Sequence, residues 1–308
     1  MTNARPFERA SIIVALNPHA HDLGAVMEAW DRQAEAGEYE VIVVDNGARP
    51  SAGADYARHR DAHPGTPVRL VDGSAPGRAA LNNAGVRASR GSLLMFVADD
   101  FVPSRMLVAA HRRFHACHAA PVVGVGGSFY GDRYRDDPFR RWMEDSGTLY
   151  GFPFPLAALR FQDGYFFVGN ASMSRATHEA IGAFDERFHH DLFDDYEYSR
   201  RIRARGVRTR YVPRAFAWHD HEVTLEERLV AMGRLGEAVR TYEHGGDDAG
   251  PLAWLTTQSI EVLEAELAKE GRDPGAIATI GSRKRRWELE MAVAFLRSYH
   301  AAAPVYRA

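Results

Sequence analysis

Short apolar runs alternate with stretches whose apolar residues recur every three or four positions. Residues 11–16, 39–44, 67–71, 92–97 and 121–130 have strand length and are nearly continuously apolar, the pattern of strands buried on both faces. Between them, 22–35, 52–63, 75–89 and 103–118 read as helices, with Gly77 near the start of the third and Gly91 after its end. Strands alternating with helices predict an α/β fold, a doubly wound and mainly parallel sheet over roughly the first 125 residues. Residues 131–164 are irregular and aromatic, with Trp142 and the Gly151-Phe152-Pro153-Phe154-Pro155 stretch, which predicts a mobile lid or binding loop. A strand follows at 165–173, then a helix capped by Ser174, a helix from Asp194 to Gly206, and a strand from Val207 stopped by Pro213. Residues 225–243, 251–269 and 283–300 read as helices with apolar faces that suit packing on the preceding domain or on a second copy of the chain.

Composition narrows the class. The 308 residues carry a net charge of −3 and are 45% hydrophobic, which gives no reason to expect a nucleic-acid surface. The lone cysteine, Cys117, rules out an intrachain disulfide framework. No apolar run approaches the roughly 18 residues of a membrane span, and the N-terminal residues lack an apolar signal segment, so the expected location is cytoplasmic.

The chemistry concentrates where strands end. The fourth run passes straight into Asp99-Asp100. In open α/β sheets ligands bind at the carboxyl edge, and adjacent carboxylates there repel unless a cation or hydrogen-bond donors stabilise them. Mg²⁺ or Mn²⁺ carrying phosphates is the natural tenant, although an Asp pair also ends strands and caps helices. The second run ends in Asp45-Asn46-Gly47, a turn sequence whose carboxylate is also placed to accept from a ribose hydroxyl or a base N–H. The helix opening Asp194-Asp195-Tyr196-Glu197 has acids favoured by its dipole, one of which suits a general base facing Asp100. Trp218-His219-Asp220-His221 offers metal ligands. Neither a Gly-x-Gly-x-x-Gly after the first strand nor a Gly-Lys-Ser/Thr loop is present, which disfavours dinucleotide oxidoreductases and P-loop enzymes.

In order, residues 11–16, 40–47, 77–91, Ala98-Asp99-Asp100, Gly169-Asn170, Gly182-Ala183-Phe184-Asp185-Glu186, Asp194-Asp195-Tyr196-Glu197, Arg200-Arg201-Ile202 and His219 resemble the family 2 glycosyltransferases across roughly residues 10–221. Departures are Leu81 in place of the usual Arg of the Ala-Arg-Asn-x-Gly helix, Ala183 for a Gly, and Asp194 for a Glu. The resemblance implies a Rossmann-like GT-A catalytic domain over 1–222, with a nucleotide-sugar half (10–125) and an acceptor half (126–222), followed by a helical region over 223–308. It implies inverting, metal-dependent transfer from a nucleotide sugar, UDP-linked in the first instance, to a hydroxyl or similar nucleophile of an acceptor, and the absence of a membrane span from the sequence favours a soluble one, a small molecule or an oligosaccharide.

Residue by residue, the resemblance assigns Asp195 as the base, and Asp100 with His219 as ligands of Mn²⁺ or Mg²⁺, His221 being the secondary candidate. Asp45, Asp99, Asn17, Arg78 and Asn82 fall on the donor side. Gly169, Asn170, Asp194 and Glu197 fall on the acceptor side, and the aromatic loop 131–164 is itself expected to shape the acceptor site, with Trp142 stacking on an apolar sugar face. A homodimer through the C-terminal helices is also expected. A nucleotidyltransferase, a non-catalytic sugar-nucleotide binder and a metal-dependent phosphoesterase are the alternatives for such carboxylates.

Overall fold

The computed structural model describes residues 9–17, 23–35, 37–73, 75–134, 136–146, 166–188, 193–244, 253–270 and 280–302. Most of the expected 131–164 loop, from 147 onward, lies outside the described residues. The chain divides into two compact units, Met1–Arg135 with Glu144–His221, and Asp136–Met143 with Glu222–Ala308.

The first unit is a Rossmann-like sheet between helices. It runs β1 (Ala10–Ala15), α1 (Leu23–Asp31), β2 (Tyr39–Asp45), α2 (Ala52–Ala62), β3 (Val68–Asp72), α3 (Arg78–Ala88), β4 (Leu93–Val97), β5 (Phe101–Pro103), α4 (Leu107–Ala116) and β6 (Val122–Tyr130). After α5 (Pro138–Ser146) come β7 (Asn170–Ser174), α6 (Arg175–Ile181), α7 (Asp194–Ala204) and β8 (Arg208–His219). The strand order is β3-β2-β1-β4-β7-β6-β8-β5. Strands β1 to β4 are mutually parallel, whereas β7 runs antiparallel to both β4 and β6, and β5 antiparallel to β8. The sheet is therefore mainly parallel, as expected, and mixed where β7 and β5 enter it.

Alternation along β1 shows why both faces are apolar. Ala10, Ile12 and Val14 enter one core with Leu23, Met27 and Trp30 of α1 and Leu107 and Val108 of α4. Ile13 faces the opposite core, which contains Ala79 of α3, Ile181 of α6, and Tyr198 and Ile202 of α7. A strand with helices on both sides needs apolar residues at every position, not at every second one. Ser174 caps α6 as expected, its hydroxyl accepting from Thr177 N at 3.1 Å.

Two departures from the sequence reading shape the site. Residues Phe101–Pro103 form a strand and the helix expected from Pro103 starts at Leu107, while β8 continues through Pro213 to His219. Pro213 is tolerated because β8 bulges there. Its register against β6 steps from Val125–Tyr211 to Gly127–Phe216, so residues 212–215 lie opposite Gly126 alone. Arg214 takes the left-handed φ of 72°, and the ladder bonds that proline lacks are given up inside the bulge. A Cβ on Gly126 would collide with the Ala215 carbonyl and the Asn170 side-chain amide. Gly126→Ala is therefore expected to lower stability by about 1–3 kcal/mol, the usual cost of overpacking, measured by urea unfolding; an unchanged midpoint would refute the close packing.

The second unit contains the start of α5 with α8 (Leu225–His244), α9 (Ala253–Thr256), α10 (Ile260–Glu270) and α11 (Ile280–Ala301). Helices α8 and α11 approach closely at Gly236, where a side chain would strike the Phe295 carbonyl. Phe139 and Trp142 of α5 pack on Trp287 of α11, with ring centroids 5.2 and 5.4 Å away. Among the described residues no helix is long and apolar enough to cross a membrane.

Candidate active site

The strand order reverses between β1 and β4: the chain starts at β1, moves outward to β3, then returns to β4 on the other side. Such a switch point leaves a crevice at the carboxyl edge, where neither adjoining loop covers the other. Asn17 follows β1 and Asp99 follows β4, and they meet there. The Asn17 backbone N–H and its side-chain Nδ2 donate to the two oxygens of Asp99 at 2.8 and 3.0 Å. Asp99 is fully buried. Burial and the adjacent Asp100 charge push its carboxyl well above the usual range, opposed by the Asn17 bonds and the positive charge of Arg49. Both Asp99 oxygens thus accept a hydrogen bond from Asn17, which ties the β1 exit to the β4 exit. Arg49, buried on the loop after β2, had no signal in the sequence beyond its place next to the Asp45 turn.

Asp100 points the other way. Strand β5 pairs Phe101 with His219, and the Asp220 N–H donates to the Asp100 carbonyl at 2.8 Å. This pairing brings His219 Nε2 to 3.0 Å and His221 Nδ1 to 3.7 Å from Asp100 Oδ2. The donor atoms of Asp100, His219 and His221 all lie within 4.8 Å of one another. His219 is held by edge-on packing against Phe101 and Tyr130, at 5.4 and 5.2 Å between centroids. One carboxylate oxygen and two imidazole nitrogens converging at a partly open position form a set that fits a divalent cation. The two nitrogens favour Mn²⁺ or a softer ion over Mg²⁺, which prefers oxygen throughout.

At the same edge α3 begins with Arg78, after Gly77 in a left-handed conformation (φ 92°). The Arg78 guanidinium grips fully buried Asp194 through two hydrogen bonds, Nε donating to Oδ2 at 3.2 Å and Nη2 to Oδ1. It also lies 3.7 Å from Asp195 Oδ2. Leaving a buried carboxylate such as Asp194 without its partner costs about 3–5 kcal/mol, so Arg78 anchors the start of α7. Asp195, the next residue, keeps 16% of its side chain exposed. Burial raises its carboxyl to about 6, against the lowering pull of Arg78 and with a further push from Asp194. That value suits a general base at neutral pH.

Two further residues expected on the donor side carry polar atoms that are buried without a hydrogen bond among the described residues: Asp45 Oδ1 at the end of β2, and Asn82 Nδ2 one turn beyond Arg78. Its neighbour Asn83 is satisfied, its side chain holding the Phe184 backbone N–H and carbonyl, both at 2.9 Å.

The residues expected on the acceptor side are held by contacts within the protein. Glu197 is buried and paired with Arg201 through two bonds of 2.7 Å. Asn170 is fully buried, its Nδ2 donating to Gly127 and Ala215 carbonyls at 3.0 and 3.1 Å, which ties β7 to β6 and β8. Gly169 is buried and accepts from Ala98 N at 3.0 Å, immediately before the Asp pair. Asp194 is consumed by Arg78. Trp142 belongs to the second unit, 5% exposed in the cluster with Phe139 and Trp287. Stacking on a sugar needs an open ring face, and burial in that cluster removes it. All five make packing or hydrogen-bond contacts within the protein.

The model of the family described as glycosyltransferase like family 2 matches residues 9–237. The chain belongs to that family. A curated relative, uncharacterized protein y4gI of Sinorhizobium fredii (strain NBRC 101917 / NGR234), is 29% identical over 248 residues, 71% of this chain. The match covers 26% of y4gI, so the chain spans about a quarter of that relative. Among solved structures, the Pyrobaculum calidifontis mannosyltransferase PcManGT, in complex with GDP-Man and Mn²⁺, is similar at a TM-score of 0.67 and 17% identity, over 96% of this chain and 87% of that one. S. aureus TarS 1–349 in complex with UDP-GlcNAc is 12% identical at a TM-score of 0.52, over 97% and 93%. At such identities the likeness is one of fold, and it places this chain among GT-A structures.

Proposed function

We propose that this glycosyltransferase transfers a sugar from a nucleoside diphosphate donor, UDP-linked in the first instance, to an acceptor hydroxyl with inversion at the anomeric carbon. The observation that carries the reading is the meeting of Asp100, His219 and His221 on the same sheet edge where Arg78 presents Asp195. PcManGT with GDP-Man and Mn²⁺ and TarS with UDP-GlcNAc support a nucleotide sugar and a divalent cation.

A cation held by Asp100, His219 and His221 would neutralise the donor diphosphate and so improve it as a leaving group. Asp195 accepts the proton of the acceptor hydroxyl while that oxygen bonds to the anomeric carbon. The bond from that carbon to the diphosphate oxygen breaks, and the nucleoside diphosphate departs. Burial raises the Asp195 carboxyl, and the nearby Arg78 charge holds the base in place and limits that rise. The unpartnered Asp45 Oδ1 is an acceptor for an N–H on the nucleobase edge, which uracil supplies at N3. The unpartnered Asn82 Nδ2 is a donor for a donor-substrate oxygen.

The test is thermal unfolding of the purified protein with UDP, dTDP, GDP and CDP sugars, each with and without Mn²⁺. A ligand that binds only the folded state stabilises it by about 2.7 kcal/mol at a hundredfold excess over its dissociation constant. A shift confined to one nucleotide and dependent on the metal is expected, and the responsive donor then enters an acceptor screen with the product's anomeric configuration read by NMR. No shift with any donor would overturn the reading and direct attention to phosphate-ester hydrolysis.

A further inference from the structure

Among the described residues one more group of side chains has the geometry of a metal site, and it lies away from the catalytic edge. Asp31 ends α1, while His59 and His63 sit four residues apart at the end of α2. His59 Nε2 is 3.0 Å and His63 Nδ1 3.7 Å from Asp31 Oδ2, and the three donor atoms lie within 4.8 Å of one another. Helices α1 and α2 return antiparallel to the strands they connect, so their carboxyl ends lie at the amino edge of the sheet. Asp100 is at the carboxyl edge, which separates the two clusters by the height of the sheet.

We infer that Asp31, His59 and His63 form a second divalent-cation site, of zinc type, that clamps α1 to α2. Four features carry this. A tetrahedral zinc with ligands about 2.0–2.2 Å away keeps neighbouring donor atoms about 3.3 Å apart, and the observed 3.0 and 3.7 Å bracket that spacing. Asp31 Oδ2 is buried and makes no hydrogen bond among the described residues despite the nearby imidazole, so its lone pairs remain available. The other oxygen, Oδ1, accepts from the Thr66 hydroxyl at 2.6 Å, the outer-shell bond that orients a ligating carboxylate. The imidazoles stack at 4.7 Å between centroids with an angle of 25°, which turns both toward the same point. His59 is buried and His63 has 43% of its side chain exposed, so the ion enters from the His63 side and solvent supplies the fourth ligand. Two imidazoles and one carboxylate suit zinc better than Mg²⁺ or Ca²⁺.

The test uses the full chain carrying Asp100→Asn and His221→Ala, which disables the catalytic cluster, stripped with a chelator and titrated with Zn²⁺. One zinc per chain by mass spectrometry of metals and a rise in the thermal midpoint are expected. Adding His63→Ala or Asp31→Asn should abolish both, and Thr66→Val should weaken binding about 10- to 100-fold. His63 is solvent-facing, so a metal-free midpoint equal to that of the parent certifies folding of that variant. No zinc in the parent background, or zinc retained with an unchanged midpoint shift after both ligand replacements, would overturn the site.

Discussion

Asp195→Asn is expected to leave the nucleotide-dependent thermal shift in place while reducing sugar transfer by about 10²–10⁴-fold, the range supplied by a positioned general base. Asparagine keeps the size of the side chain and the start of α7, which is fixed by Asp194 and Arg78 rather than by Asp195. Only the ability to accept a proton is lost. The same residue sets a pH dependence. With its carboxyl at about 6, the base is ionised above that value, and transfer should fall roughly tenfold for each pH step below it. Folding raises this carboxyl above its ordinary 3.8. Its contribution to stability is therefore present in full below the unfolded value and lost as pH rises through about 6. Above pH 6 the Asn variant, which cannot ionise, should unfold at a midpoint no lower than the parent's. Activity and stability thus move apart: a variant that loses transfer by misfolding would show a lowered midpoint and no nucleotide shift. Normal turnover by Asp195→Asn would show that another group takes the proton.

The sheet and its helices were legible because burial on both faces leaves unbroken apolar runs, as in Ile12-Ile13-Val14 and Leu93–Val97, and because Gly and Ser punctuate the helices between them. Strand β5 was not legible, since three residues following a turn have no periodicity and gain strand character only from β8, more than a hundred positions later. The extent of β8 was hidden for a related reason: Pro213 argues locally for an end, and only the register step opposite Gly126 accommodates it. The same long-range pairing decides the site. Strand-end position alone does not distinguish Asp99 from Asp100, which only the resemblance assigns to different roles; backbone direction sends one to Asn17 and the other to His219. Likewise Asp194 and Asp195 differ by which of them meets Arg78, 116 residues earlier, more closely. Glu197 could have been separated from them at once, because Arg201 stands one helical turn beyond it, a spacing that pairs opposite charges.

Asp100→Asn should remove the Mn²⁺-dependent part of the donor's thermal shift and lower transfer by about a thousandfold or more, because a metal at a developing negative charge contributes several kcal/mol to the transition state. The substitution is the cleanest probe of the cluster. Asn retains the shape and a carbonyl oxygen, and the Phe101–His219 pairing that builds the corner is made by backbone groups. His219→Ala would be ambiguous, since its ring also packs on Phe101 and Tyr130 and its loss opens a cavity. His221 is partly exposed, so His221→Ala tests the third ligand with little cost to packing; weaker metal response without loss of fold is the expected result. Raising Mn²⁺ should restore part of the His221→Ala activity by mass action but little of the Asp100→Asn activity, where the negative charge that balances the cation is gone. If Asp100→Asn kept the metal response of the parent, the ion would have to be held elsewhere, and the assignment of this corner as the diphosphate-binding side of the crevice would fall with it.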